Sequence, residues 1–133
     1  MLLALILIPA VLPMAGAANL NLASFIGTWE NIDPDAEGIV KLIITDEGGI
    51  QIQAFGSCSP EPCDWGIVAG EAYGRNESAA RANSFFAVFD TGNVESVMTG
   101  SRNGDRLRVE VFTRFMDGSG RADHVFAAVF SRG

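Results

Sequence analysis

Between residues 26 and 131 apolar and polar side chains alternate along runs of roughly ten residues, and the runs stop at turn chemistry. The stops are Glu47-Gly48-Gly49, Thr91-Gly92-Asn93, Asn103-Gly104 and Asp117-Gly118-Ser119-Gly120. Gly, Asn and Asp tolerate the backbone conformations that tight turns need. No segment sustains a helical period. The pattern predicts eight strands, near 26–32, 38–45, 49–57, 63–73, 84–90, 93–101, 105–115 and 121–131. Short, evenly spaced strands indicate a sandwich or a barrel, and hairpin-length links favour an up-and-down barrel over Greek-key crossovers. The expected fold class is all-β, an eight-stranded antiparallel meander barrel. The one long link, 74–83, contains the sequon Asn76-Glu77-Ser78.

Each hairpin can be given a register. With Asn103-Gly104 as a two-residue turn, Leu107 pairs with Gly100, Val109 with Met98 and Val111 with Ser96. Closing Asp117 against Gly120 pairs Phe126 with Val111 and Phe130 with Leu107, and sets Arg114 opposite Asp123 as a cross-strand charge pair. A loop at Asp46–Gly48 pairs Ile44 with Ile50, Leu42 with Ile52 and Lys41 with Gln53. The three hairpins agree on one inside, whereas a one-residue slip reverses every face. Setting Cys58 opposite Cys63 places Trp65 over Gly56 and Ile67 over Ala54, so that Trp65, Ile67, Glu71 and Tyr73 point inward.

The first 18 residues, MLLALILIPAVLPMAGAA, carry no charged side chain and end in small residues, with Ala15-Gly16-Ala17 fitting a cleavage site. They read as an export signal or, if retained, a hydrophobic anchor. Residues 19–133 are then one barrel domain. An exported chain with two cysteines favours a Cys58–Cys63 disulfide, with free or redox-active thiols as the alternative. The net charge of −7 and the single lysine argue against nucleic acid and against anionic lipid. A membrane becomes a partner only if residues 1–18 remain.

The derived topology gathers Asp33, Asp35, Glu37, Glu61, Asp64, Asp90, Asp117 and Asp123 at one barrel end, against Arg114 and Arg121. Arg75, Arg81, Arg102, Arg106 and Arg132 fall at the other. An acidic mouth attracts cationic molecules. Asp33, Asp35 and Glu37 form a weak calcium candidate, although they match no complete calcium loop. The inward polar residues are Asn31, Glu71, Tyr73, Ser96, Thr113 and His124, and Thr113 faces His124 near the mouth. Asn31, Trp65, Glu71, Tyr73, Thr113 and His124 are the candidate ligand-binding residues. An eight-stranded interior holds either side chains alone or one small ligand.

Catalysis is disfavoured. His124, the only histidine, has no Ser or Cys nucleophile on a strained turn. Glu71 is a single interior carboxylate where a glycosidase needs a pair. No Gly-rich phosphate loop is present, and no cofactor is expected. Phe55, Val97, Phe112, Val125, Ala127 and Val129 point outward, and the apolar stripe on strands seven and eight, Phe112, Val125, Ala127 and Val129, suits self-association or docking on another domain.

Residues 25–31, Phe-Ile-Gly-Thr-Trp-Glu-Asn, resemble the first-strand G-x-W signature of lipocalin and avidin-like barrels. That resemblance implies that Trp29 packs near the closed end beside an arginine from elsewhere in the barrel, a part Arg132 can play. The runs Gly56–Gly66 and Phe112–Arg121 resemble a group of uncharacterised bacterial exported lipocalin-like, calycin-like domains, with the pattern W-G-x-C-x-P-x-x-C-D-W-G and later F-T-R-F-x-D-G-S-G-R. The likeness spans most of residues 19–133. It departs at Phe55, where the pattern has Trp, and at Ser59, where His is common. The expected function is an exported binding barrel that engages a small apolar or cationic ligand, or a partner, at its acidic end. The alternative is a structural, self-assembling cell-surface or extracellular protein with a filled barrel.

Overall fold

The computed structural model describes residues 20–133, so the expected export segment, 1–18, lies outside the described residues. Eight strands follow one another: β1 Gly27–Asn31, β2 Ile39–Asp46, β3 Ile50–Gly56, β4 Cys63–Tyr73, β5 Ser84–Asp90, β6 Val94–Asn103, β7 Arg106–Phe115 and β8 His124–Arg132. Each pairs antiparallel with its neighbour in the chain, and β8 closes on β1. The fold is an all-β, closed, eight-stranded meander barrel.

The interior is built in rows of residues that face one another across neighbouring strands. Ala87, Met98, Val111 and Phe126 form one row; Phe85, Gly100, Val109 and Ala128 form the next towards the closed end. Gly100 is required there, because a Cβ would stand 2.3 Å from the Phe85 ring. Trp29, Leu42, Ile44, Ile52, Leu107 and Phe130 are fully buried around them. Burying each such side chain contributes about 1.5–3 kcal/mol.

The segment before β1 plugs the closed end. Phe25 is buried edge-on against Phe85, and its carbonyl accepts a hydrogen bond from Trp29 Nε1 at 2.9 Å. Arg132 lies over the Trp29 ring at 4.6 Å, and Arg102 lies over it at 5.4 Å. Both guanidinium groups donate to the Ser24 carbonyl.

The β7–β8 register matches the derived one, pairing Leu107 with Phe130 and Val111 with Phe126. The other hairpins differ. β6–β7 turns on Gly104-Asp105, so Gly100 pairs with Val109 and Ser96 with Thr113. β2–β3 turns on Glu47–Gly49, so Ile44 pairs with Ile52, and Lys41 meets Phe55 with Nζ 4.6 Å from the ring. Moving a loop of fixed length along by one residue shifts the pairing by two, which leaves every inward residue inward.

β3–β4 departs by an odd step. Gln53 pairs with Ile67 but Phe55 pairs with Asp64, so Trp65 and Gly66 together oppose Ala54. This is a β-bulge, and Gly66 takes the left-handed φ of 92° that the extra residue needs. Asp64 holds it, accepting from the Gly66 amide at 2.8 Å and from Gln53 Nε2 at 3.0 Å. The bulge reverses the parity of β4 beyond it. Val68, Gly70 and Ala72 face inward, while Ile67 is 61% exposed and Tyr73 49% exposed on the outside with Glu71. The inward placement of Ile67, Glu71 and Tyr73 is thereby corrected.

Two seams of the barrel are short. β1 pairs with β8 only from Trp29 to Asn31, and β4 pairs with β5 only from Gly70 to Tyr73. Both contacts lie towards the closed end. At the opposite end the wall parts on two sides.

Candidate functional site

The parted end encloses an open cavity of about 600 Å³, within the ~300–1,000 Å³ usual for small-molecule sites. Its base is the row Phe89, Ser96, Thr113 and His124, brought together by the paired registers of β5 to β8. This row marks where the aliphatic core ends. Ser96 is buried, and its hydroxyl lies 3.3 Å from that of Thr113. Each satisfies the other, as buried polar groups must.

Aromatic side chains wall the cavity. Trp65, on the strand side of the bulge, stands over Gly56, where a Cβ would meet Nε1 at 2.7 Å. It contacts Phe89 edge-on with ring centres 5.7 Å apart, yet stays 37% exposed at the opening. His124 sits between Phe115 and Phe126, 5.7 and 6.4 Å from their ring centres. Its Nδ1 lies 3.1 Å from the Ala122 carbonyl. A carbonyl only accepts, so Nδ1 is the donor of this bond. The Cys58–Cys63 disulfide, with Cα atoms 5.5 Å apart, borders the opening beyond the last β3–β4 pair.

The rim is acidic. Glu37, Asp64 and Asp90 line the cavity and no Lys or Arg does. The nearby cations are engaged elsewhere: Arg114 pairs with Glu95 at 3.4 Å and Arg121 with Asp117 at 2.8 Å. Arg121 also stacks on Phe115 at 4.0 Å. The expected Arg114–Asp123 charge pair does not form, because Asp123 turns to accept from the Phe115 amide at 2.9 Å.

Of the candidate ligand-binding residues, Trp65, Thr113 and His124 meet at this cavity. Asn31 does not line it: its amide ties β1 to the Ile39 carbonyl at 2.9 Å, and it borders a separate groove between segment 32–38 and β8. Glu71 and Tyr73 lie outside the barrel. The calcium candidate also fails to assemble. Asp33 accepts from the Asp35 amide within its own turn, and among the described residues no three His, Cys, Asp or Glu side chains converge. Phe89 and Phe115 were missed as cavity residues. The strict alternation of β5 and β7 was the signal that places them inward.

A closed eight-stranded antiparallel barrel of this kind is compatible with the calycin-like fold. No family model, curated protein or solved structure matches the chain.

Proposed function

We propose that the protein is an exported binding barrel that takes a small, largely apolar molecule bearing a positive charge in the cavity at its acidic end. The observation that carries this reading is the pairing of aromatic walls, Trp65, Phe89, Phe115 and Phe126, with a rim of Glu37, Asp64 and Asp90 and no Lys or Arg in the cavity lining. Aromatic faces attract cations, and a carboxylate rim over low-dielectric walls concentrates them. Ser96, Thr113 and His124 supply polar contacts at the base. Export is supported by the apolar run 1–18 and by the disulfide, which persists in oxidising surroundings.

A fluorescent cationic dye tests the reading. Saturable binding, competition by a tetraalkylammonium ion, and weakening in Trp65→Ala and Asp90→Asn are the expected results. Failure of every apolar and cationic probe to bind, by dye displacement and by native mass spectrometry, overturns it. N-terminal sequencing of exported material is expected to begin near Ala18 or Asn19.

A second reading, self-association, is favoured by one observation. Val88, Val97, Phe112 and Val125 form a continuous outward row across β5 to β8, and three of them are exposed. Sedimentation that finds a monomer at high concentration, unchanged by Phe112→Ser, excludes it.

A further inference from the structure

We infer that the closed end of the barrel carries a separate site for an oxyanion, formed by Arg75, Arg81 and Arg102. These three side chains line a groove of about 650 Å³ between the 74–83 link and the β6–β7 turn, and no carboxylate lines it. Glu77, the one acid of the link, is not part of the groove.

The charges in the groove are uncompensated. The ion pairs among the described residues use Arg106, Arg108, Arg114 and Arg121, so Arg75, Arg81 and Arg102 have no carboxylate within 4.0 Å. Residues 1–19 contain no acid to supply one. Arg102 is held in place, donating to the carbonyls of Ser24 and Gly104. Carbonyls satisfy N–H donors but do not cancel the charge, and its buried Nε has no partner among the described residues.

Arg81 is carried on a fixed backbone as well. It bridges Asn21, and the flanking bonds from Asn21 N to the Ala80 carbonyl and from Ala82 N to the Asn21 carbonyl are both 2.9 Å. Three arginines thus converge on a groove of a protein whose net charge is −7. Guanidinium forks match the geometry of phosphate, sulfate and carboxylate oxygens, and such a group completes the site. The carrier is either a soluble oxyanion or the phosphate of a lipid headgroup. Neither depends on the cavity at the other end.

The test is a titration of the full chain with inorganic phosphate, followed by backbone amide NMR. The expected result is saturable shifts confined to residues 74–83, Ser24 and Arg102–Gly104. The double variant Arg75→Gln/Arg81→Gln weakens binding by about tenfold or more, while Arg108→Gln, on the outer face beside Glu110, leaves it unchanged. Sedimentation with phosphatidylcholine vesicles, with and without phosphatidylglycerol, distinguishes the carriers. Added binding that the double variant loses identifies a lipid phosphate; phosphate binding without added sedimentation identifies a soluble one. Shifts that do not saturate, that spread evenly over all arginines, or that survive in the double variant, together with vesicle binding the variant retains, overturn the proposal.

Discussion

The two ends of this barrel use the same aromatic residue type differently. At the closed end Trp29 is buried, its indole nitrogen bonded to Phe25 and its ring covered by Arg102 and Arg132. At the mouth Trp65 touches Gly56 and Phe89 on one side and solvent on the other. Strand pairing follows the same division, since β1–β8 and β4–β5 are joined only near the closed end. One end is packed and closed, and the other is left open.

Matched substitutions test that division. Trp29→Ala removes a buried ring and its hydrogen bond, and urea unfolding is expected to register a loss of about 3–5 kcal/mol. A loss below 1 kcal/mol would erase the distinction between the ends. Replacing Cys58 and Cys63 together with Ser should cost about 2 kcal/mol, as the short loop predicts. The melting temperature should fall, while amide exchange rises at the mouth and the closed end stays protected. Two alkylatable thiols in unreduced exported protein would remove the premise. Trp65→Ala should cost about 2 kcal/mol, one edge-on aromatic contact plus the ring's partial burial, yet weaken dye binding at the mouth.

The smallest effect concerns the β7–β8 turn. Hydrogen bonds from Ser119, and then Arg121, lower the Asp117 pKa from 3.8 to about 2. A depressed carboxylate stabilises the fold above its unfolded pKa, and that contribution disappears as pH falls from about 4 to about 2. Carboxyl NMR should find the midpoint near the lower limit, and Ser119→Ala should raise it. A midpoint at the ordinary value would show that the turn does not form.

Much of the barrel was legible in the alternation of apolar and polar residues, for a reason that tolerates error. The β2–β3 and β6–β7 turns each sit one residue later than derived, and both shifts preserved the inside. Gly66 had the opposite effect: one residue added to β4 turned Ile67, Glu71 and Tyr73 outward. An isolated glycine within a strand pattern is itself a bulge signal, and Asp64-Trp65-Gly66 carried it. Of the candidate site, Trp65, Thr113 and His124 were readable from parity, and the acidic end from turn composition. Segment 32–38 was readable as the break between strands 26–32 and 38–45. It leaves the sheet after Ile32 donates to the Val129 carbonyl at 3.0 Å, and Asp33-Pro34-Asp35 marks that departure.

That departure leaves the edge of β8 from His124 to Ala128 without a strand partner. An open edge is a template on which other chains can polymerise. Here segment 32–38 runs alongside it with Asp33, Pro34, Asp35 and Glu37. Proline cannot extend a ladder, and three acids repel another copy of an acidic chain. The β4–β5 seam parts beyond Gly70, and Ile67 stands exposed beside it. Fibril growth in concentrated solution should therefore start at β4, and a lysine in place of Ile67 should delay it.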